Sequence, residues 1–321
     1  MSQKPTLWIS RKLSNNTMLR ANRDYDVIFD DADQPGSAET IIAMSAQCDA
    51  ALPCHSELFS GEVVAQLNPR LKIIANHSVG VDHCDLAALA KKNIVVTNTP
   101  DVLSDATAEI AMLLLLGAAR HAAGGDALVR DGQWDSWSPS FMVGTQVTGK
   151  RIGIVGMGKV GRVLARRAAG FDMDVHYHNR TQLDAAEERG ATFHKDLKSL
   201  LSVSDFLSLH CPSTPDTQKL LNAESIEYLP DGAVVINSAR GALIDEQALL
   251  NAIESKKLAA AGLDCFAQEP GGNPAFSRFK NIFMLPHIGS ATAETRDAMG
   301  YRALDNLDAF FAGKETRDRV A

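Results

Sequence analysis

The run Arg151-Ile152-Gly153-Ile154-Val155-Gly156-Met157-Gly158-Lys159-Val160-Gly161 begins as a buried strand and leads into a helical pattern over Lys159–Ala169. Between the two lie three glycines spaced G-x-G-x-x-G. In that order the residues form the fingerprint of a dinucleotide-binding βα turn. Gly156 permits the tight turn, Gly158 lets backbone approach a pyrophosphate, and Gly161 lets helix and strand pack closely. The amides of Met157, Lys159 and Val160 lie where the helix N-terminus would meet the phosphates. A glycine triplet by itself is weak, since glycines also punctuate ordinary turns. The strand before it and the helix after it make the reading specific.

The same alternation extends in both directions. β-branched runs at Thr6–Ile9, Val27–Phe29, Leu71–Ala75 and Ile94–Thr97 precede the glycines. Others follow at Asp174–Tyr177, Asp205–Leu209, Ala233–Ile236, Ala259–Leu263 and Ile282–Leu285. Helical patterns such as Glu246–Ser255 and Ala291–Phe311 fall between or after them. Strands alternating with helices imply βαβ units and parallel sheets covered on both faces. The expected fold is α/β, with two Rossmann-like, doubly wound parallel-sheet domains. Because the glycines lie mid-chain, the nucleotide domain is expected as an insertion into a split substrate domain. Residues 1–103 and 287–321 form the substrate part, and 104–286 the nucleotide part. Asp105–His121 reads as a long apolar helix. Residues 122–149 read as an irregular, Gly-rich and aromatic segment, and so long an irregular stretch is expected to be functional or to lie in an interface.

Composition removes several other classes. At 321 residues the chain exceeds one ordinary domain, and 45% hydrophobic with 22% charged residues are globular values. The net charge of −7 disfavours general affinity for nucleic acid or an anionic membrane surface. The five cysteines, Cys48, Cys54, Cys84, Cys211 and Cys265, contain no C-x-x-C pair. They read as reduced small hydrophobes, with no disulfide framework and no metal site expected. MSQKPTLWIS lacks the apolar core of a leader, so a cytoplasmic protein is expected.

The end of the strand after the glycines bears on cofactor choice. An unphosphorylated dinucleotide usually finds Asp or Glu there, about 20 residues on, to accept from the ribose 2′-hydroxyl. Here the residues are His178-Asn179-Arg180-Thr181. No carboxylate repels a 2′-phosphate, Arg180 can pair with one, and Asn179 and Thr181 add neutral hydrogen bonds. NADP(H) is therefore the expected cofactor, with NAD(H) possible if Arg180 is merely solvated beside a dual-specificity site.

Hydride transfer to a 2-oxo acid makes three further demands. A cation must hold the carboxylate and polarise the carbonyl, a general acid must protonate the developing alkoxide, and a partner must orient that acid. Three positions just past strands fit: Arg240 in Ile236-Asn237-Ser238-Ala239-Arg240-Gly241, Glu269 in Asp264-Cys265-Phe266-Ala267-Gln268-Glu269, and His287 in Leu285-Pro286-His287-Ile288-Gly289. Singly, each also reads as a capping Arg, a surface Glu or a satisfied core His. Spacing alone does not bring them together.

These segments resemble the D-2-hydroxyacid dehydrogenase family. The likeness rests on GMGKVG, on HCPSTPDTQKLLN through INSARGALIDEQAL, and on GLDCFAQEP followed by LPHIGSAT, and it runs from about Leu71 to Phe311. It implies that Arg240 binds substrate, that His287 is the acid/base and that Glu269 pairs with it. It also implies that Ser78, Val79 and Gly80 offer main-chain groups to the substrate carboxylate. Thr107, Ser238, Ala239, His287 and Gly289 would line the nicotinamide side, Asp264 would meet the carboxamide, and Cys211-Pro212 would border the adenine. Within the family the chain is most similar to the NADP(H)-dependent glyoxylate/hydroxypyruvate reductase group. That implies reduction of glyoxylate or hydroxypyruvate to the D-2-hydroxy acid by a homodimer. In that group residues 122–149 belong to the dimer interface, with Trp134, Trp137 and Phe141 as candidates to approach the partner's site. Leu52-Pro53-Cys54-His55 departs from the family pattern at a position facing substrate, which leaves pocket size open. A 2-ketogluconate or aryl-pyruvate reductase on the same core is the alternative enzyme. A nucleotide-sensing co-repressor on the same fold is the alternative outside catalysis.

Overall fold

A computed structural model describes residues 4–321, and the chain divides into two compact units. One comprises the residues up to Leu103 together with Ser290–Ala321. The other is continuous, Ser104–Gly289, and is inserted between those two parts.

The first unit alternates strands and helices without exception: β1 (Thr6–Ile9), α1 (Asn15–Asp24), β2 (Asp26–Ile28), α2 (Ala38–Ser45), β3 (Ala50–Leu52), α3 (Gly61–Gln66), β4 (Ile73–Ala75), α4 (Leu86–Lys91) and β5 (Val95–Thr97). Its five-stranded sheet has the order β2-β1-β3-β4-β5, every pairing parallel. The second unit opens with α5 (Ser104–Ala119) and α6 (Ala122–Arg130) and then winds through β6 (Arg151–Val155), α7 (Lys159–Ala169), β7 (Asp174–His178), α8 (Ala185–Glu188) and β8 (Thr192–Phe193). It continues with α9 (Leu197–Leu201), β9 (Phe206–Leu209), α10 (Ala223–Glu227), β10 (Ala233–Asn237), α11 (Glu246–Glu254), β11 (Leu258–Leu263) and β12 (Ile282–Met284). Its parallel seven-stranded sheet runs β12-β11-β10-β9-β6-β7-β8. α12 (Ala293–Phe311) returns the chain to the first unit.

Both sheets are buried on both faces, because alternate residues of one strand enter different cores. In β10, Val234 and Ile236 pack with α5 residues Leu114 and Leu115, while Val235 joins Leu249 and Ile253 of α11 on the other face. In β1, Trp8 packs with Val63 and Leu89, whereas Leu7 and Ile9 pack with Ala303, Leu304 and Leu307 of α12. This two-sided burial is why the strands read as continuous apolar runs. Among the described residues, no single helix is long and apolar enough to cross a membrane.

The structure departs from the sequence expectation in three places. Residues 122–149 are not irregular throughout, since Ala122–Arg130 forms α6. Its two consecutive glycines, Gly124 and Gly125, obscured the pattern. The short strands Ala50–Leu52 and Thr192–Phe193 carry too few residues to show a period. The return to the first unit comes at Ser290, three residues beyond His287, so His287 and Gly289 lie in the same unit as the glycine motif.

Candidate active site

The glycine turn has the expected shape. Gly156 adopts φ +92°, and a Cβ there would lie 2.5 Å from the backbone nitrogen of Cys211, so the loops after β6 and β9 touch through backbone. A Cβ on Gly161 would lie 2.5 Å from the Gly156 carbonyl oxygen, which fixes the approach of α7. At Gly158, the N-cap of α7, a Cβ would meet nothing within 4 Å. Open space therefore lies over a helix start whose first-turn amides have no intrahelical acceptor. Met157 differs from expectation. Its side chain is buried, and its amide donates to Asn179 Oδ1 at 2.7 Å. Asn179 thus ties the end of β7 to the glycine loop, whereas Arg180 and Thr181 stand exposed beside it. Among the described residues, no carboxylate pairs with Arg180.

The three reacting candidates sit at the C-terminal ends of adjacent strands, where open α/β sheets bind ligands. β10, β11 and β12 are neighbours, and the ladder continues past them: Asp264 N–H donates to the Asn237 carbonyl at 2.9 Å and Leu285 N–H to that of Leu263 at 2.8 Å. Arg240 follows β10 and is held at its root. Its carbonyl accepts from Asn237 Nδ2 at 2.8 Å, and its Nη1 donates to the Ala239 carbonyl at 2.8 Å. A Cβ on Gly241 would overlap the backbone of Phe266, so the loops bearing Arg240 and Glu269 are in backbone contact.

His287 and Glu269 are brought together. His287 Nδ1 lies 2.6 Å from Glu269 Oε2, and both side chains are half-buried. The other oxygen, Oε1, accepts from the Phe266 amide at 2.8 Å, so the carboxylate is fixed at both ends. His287 itself has φ +54°, a conformation unfavourable for a residue with a Cβ. Its neighbours are pinned by Asp264, whose two carboxylate oxygens accept from the amides of Ile288 and Gly289 at 2.8 Å each. Asp264 is fully buried. Burial pushes its pKa up, while the two amides and His287 draw it back. Gly289 lies against both Asp264 and Thr107, so three of the residues assigned to the nicotinamide and its carboxamide lie together. Ser238 Oγ is buried and has no hydrogen-bond partner. A buried hydroxyl without a partner and the free amides of a helix start are groups that a dinucleotide can satisfy.

In the first unit, Ser78–Gly80 form a braced loop after β4. Asn98 Nδ2 donates to the Val79 carbonyl at 2.9 Å, Ser78 Oγ to that of Gly80 at 2.7 Å, and the Thr99 amide to that of Ser78 at 3.0 Å. The amides of Val79 and Gly80 donate to no acceptor among the described residues. Deeper in, Asn76 donates to the Thr97 carbonyl and its Oδ1 meets His83 Nε2 at 2.8 Å. Sequence reasoning missed the bracing residues Asn76, Asn98 and Asn237. The one local signal is a short amide side chain just past a strand end, where it bonds the turn's own backbone.

Comparison with known proteins agrees with this layout. The family model described as "D-isomer specific 2-hydroxyacid dehydrogenase, NAD binding domain" matches residues 112–289. A glycerate dehydrogenase from Hyphomicrobium methylovorum is 42% identical over 317 residues, which is 98% of each chain. A glyoxylate reductase from Pyrococcus furiosus is 38% identical, covering 97% of this chain and 94% of its own. Among solved structures, an NADPH-dependent glyoxylate/hydroxypyruvate reductase from Sinorhizobium meliloti, in complex with NADP and malonate, superposes with a TM-score of 0.88. It is 31% identical and covers 99% of this chain and 97% of its own.

Proposed function

Since the chain belongs to the D-isomer specific 2-hydroxyacid dehydrogenase family, we propose that it reduces glyoxylate and hydroxypyruvate to the D-2-hydroxy acids with NADPH, as a cytoplasmic homodimer. Residues 104–289 are the nucleotide-binding part in this reading, and those up to 103 with 290–321 the substrate part. The observation that carries it is the 2.6 Å contact between His287 Nδ1 and Glu269 Oε2, beside the Arg240 loop and in one unit with the glycine turn. The relatives supply the substrate class. Oxidation of glycerate at C2 gives hydroxypyruvate, so a glycerate dehydrogenase and a hydroxypyruvate reductase catalyse one reaction in opposite senses.

The nicotinamide dinucleotide supplies the hydride when bound. Everything else is the work of side chains and backbone. Arg240 holds the carboxylate and polarises the carbonyl, in contacts that strengthen as negative charge builds on oxygen. His287 donates Nδ1–H to Glu269 and so presents Nε2, from which the alkoxide takes its proton. Glu269, anchored by the Phe266 amide, sets the plane of the ring. In the first unit, the unclaimed amides of Val79 and Gly80 are the donors assigned to the substrate carboxylate. Asp264 and Thr107 border the nicotinamide carboxamide, Cys211 and Pro212 the adenine, and Arg180 takes the 2′-phosphate.

A rate panel tests all of this. NADPH and NADH are crossed with glyoxylate, hydroxypyruvate, pyruvate, 2-ketogluconate and phenylpyruvate, for the wild type and for Arg180→Ala. The expected maximum of kcat/KM is NADPH with glyoxylate or hydroxypyruvate, and Arg180→Ala should erase most of the NADPH advantage. Higher efficiency with NADH would remove the cofactor assignment, and a preference for 2-ketogluconate or phenylpyruvate would remove the substrate.

A further inference from the structure

Glu246, the first residue of α11, takes no part in the machinery above. A carboxylate at a helix start is ordinarily accounted for by the helix's own amides and dipole. Here Asp245 does the capping, accepting from the amides of Gln247 and Ala248. The Glu246 carboxylate turns to a loop instead. Its Oε1 accepts from the Ala267 amide at 2.8 Å, and its Oε2 from Asn273 Nδ2 at 3.0 Å.

Ala267 and Asn273 are the two ends of the segment that carries Glu269. That segment leaves the core after Cys265 and re-enters it at Phe276, both buried. The residues on either side of Glu269, Ala267, Gln268, Pro270 and Gly271, are exposed, so burial does not hold the loop in place. Gly271 and Gly272 both have positive φ, which adds chain freedom. The Phe266 amide bonds Glu269 Oε1, and the Gly272 amide bonds the Gln268 carbonyl. These bonds give the loop a shape but move with it. The Glu246 carboxylate ties both ends of that shape to α11, whose Leu249 and Ile253 are set in the core.

Resting on the function proposed above, we infer that Glu246 is a positioning residue for proton transfer. By clamping both ends of the loop to α11 it holds Glu269 in line with His287, and so aims the ring at the oxygen to be protonated. A general acid works only within hydrogen-bond reach of that oxygen. A misplacement on the order of 1 Å costs up to about 100-fold in rate. Arg240 and the glycine turn bind the substrate and the dinucleotide, so Glu246 acts on the chemical step and not on binding.

The test is a double-mutant cycle of Glu246→Ala, Glu269→Gln and their combination. It is read as kcat and KM for glyoxylate at saturating NADPH, with NADPH affinity by fluorescence titration and thermal melting alongside. Glu246→Ala should lower kcat by roughly 10- to 100-fold. KM and NADPH affinity should stay within about twofold, as for a group that acts only in the chemical step. On the Glu269→Gln background the same substitution should cost little more, because the group it positions is already gone. Glu246→Gln keeps one acceptor oxygen and turns an NH2 toward one of the two donors. Asn273 cannot answer by reversing, because its Oδ1 accepts from the Ala275 amide at 3.0 Å. Glu246→Gln should therefore lose part of the rate, and it carries the cycle if Glu246→Ala does not fold. Equal losses of kcat on both backgrounds overturn the inference, as does a loss confined to KM or a kcat unchanged from wild type. Wild-type enzyme inactive on glyoxylate and hydroxypyruvate would instead overturn the function on which the inference rests.

Discussion

In the reaction proposed above, Arg240 is the residue on which the chemistry depends most directly, because it sets a forked charge on a rigid base. Its carbonyl is tied to Asn237 and its Nη1 to the Ala239 carbonyl, so the guanidinium is aimed before substrate arrives. Removing a preorganised donor to a developing oxyanion costs about 10²–10³-fold in kcat. Arg240→Ala is expected to lower kcat/KM for glyoxylate by at least that much and to leave NADPH affinity intact. A variant within tenfold of the wild type would show that another cation does the work. Residue type and position were legible in the sequence for Arg240, Glu269 and His287, since each stands just past an apolar run. Their pairing was not. It depends on β10, β11 and β12 being neighbours, and on Asp264 folding the Ile288–Gly289 turn so that His287 points to Glu269. The part played by Glu246 was hidden for a related reason. Nothing in Ile244-Asp245-Glu246-Gln247 distinguishes a helix-start carboxylate from one that holds a distant loop until Ala267 and Asn273 close on it.

At the scale of elements, strands with several consecutive apolar residues were read nearly to the residue, and Arg151–Val155 and Lys159–Ala169 fall on the expected bounds. The short strands Ala50–Leu52 and Thr192–Phe193 escaped, whereas the three-residue strands Asp26–Ile28, Ile73–Ala75, Val95–Thr97 and Ile282–Met284 lie within two residues of their expected bounds. α6 escaped for a different reason, which itself bears on function. None of its residues is buried, so no apolar stripe marks it against this chain's own core. Beyond it the segment stays exposed while carrying large apolar side chains. Trp134 is 57% exposed, Trp137 73% and Val143 68%, with Val129 of α6 at 59%. Large apolar side chains left exposed along one segment mark an association surface. A second copy of the chain is the expected cover, and sedimentation equilibrium should return twice the chain mass. Trp137→Ser combined with Val129→Ser should shift the protein toward a single-chain mass. If the double variant stays a dimer, a different surface joins the subunits.

At the scale of the whole molecule, each unit encloses a histidine that is neutral when folded. His77 in the first unit is 5% exposed, and burial, then the nearby Arg296, push its pKa down to about 4. Burial likewise pushes His210 in the second unit down to about 4. An unfolded histidine titrates near 6.5, so between about pH 6.5 and 4 the unfolded chain holds protons that the folded chain does not. Stability must therefore rise with pH across that window, with the contribution complete above 6.5 and lost progressively as pH falls toward 4. One such group steepens the dependence by at most about 1.4 kcal/mol per pH unit. Asp205 acts lower on the scale. Its hydrogen bonds to Arg151 hold its carboxyl below the usual range, so what it contributes is lost only as pH falls below about 4. Acid should thus weaken the protein in two stages, histidines first. Denaturant titrations at half-unit steps from pH 7.5 to 4.5 read the first stage. His77→Asn removes one titrating group, so its unfolding free energy should fall less steeply with acid than that of the wild type, whatever its level at pH 7.5. Parallel curves for the two proteins would mean that His77 takes up its proton in the folded state too.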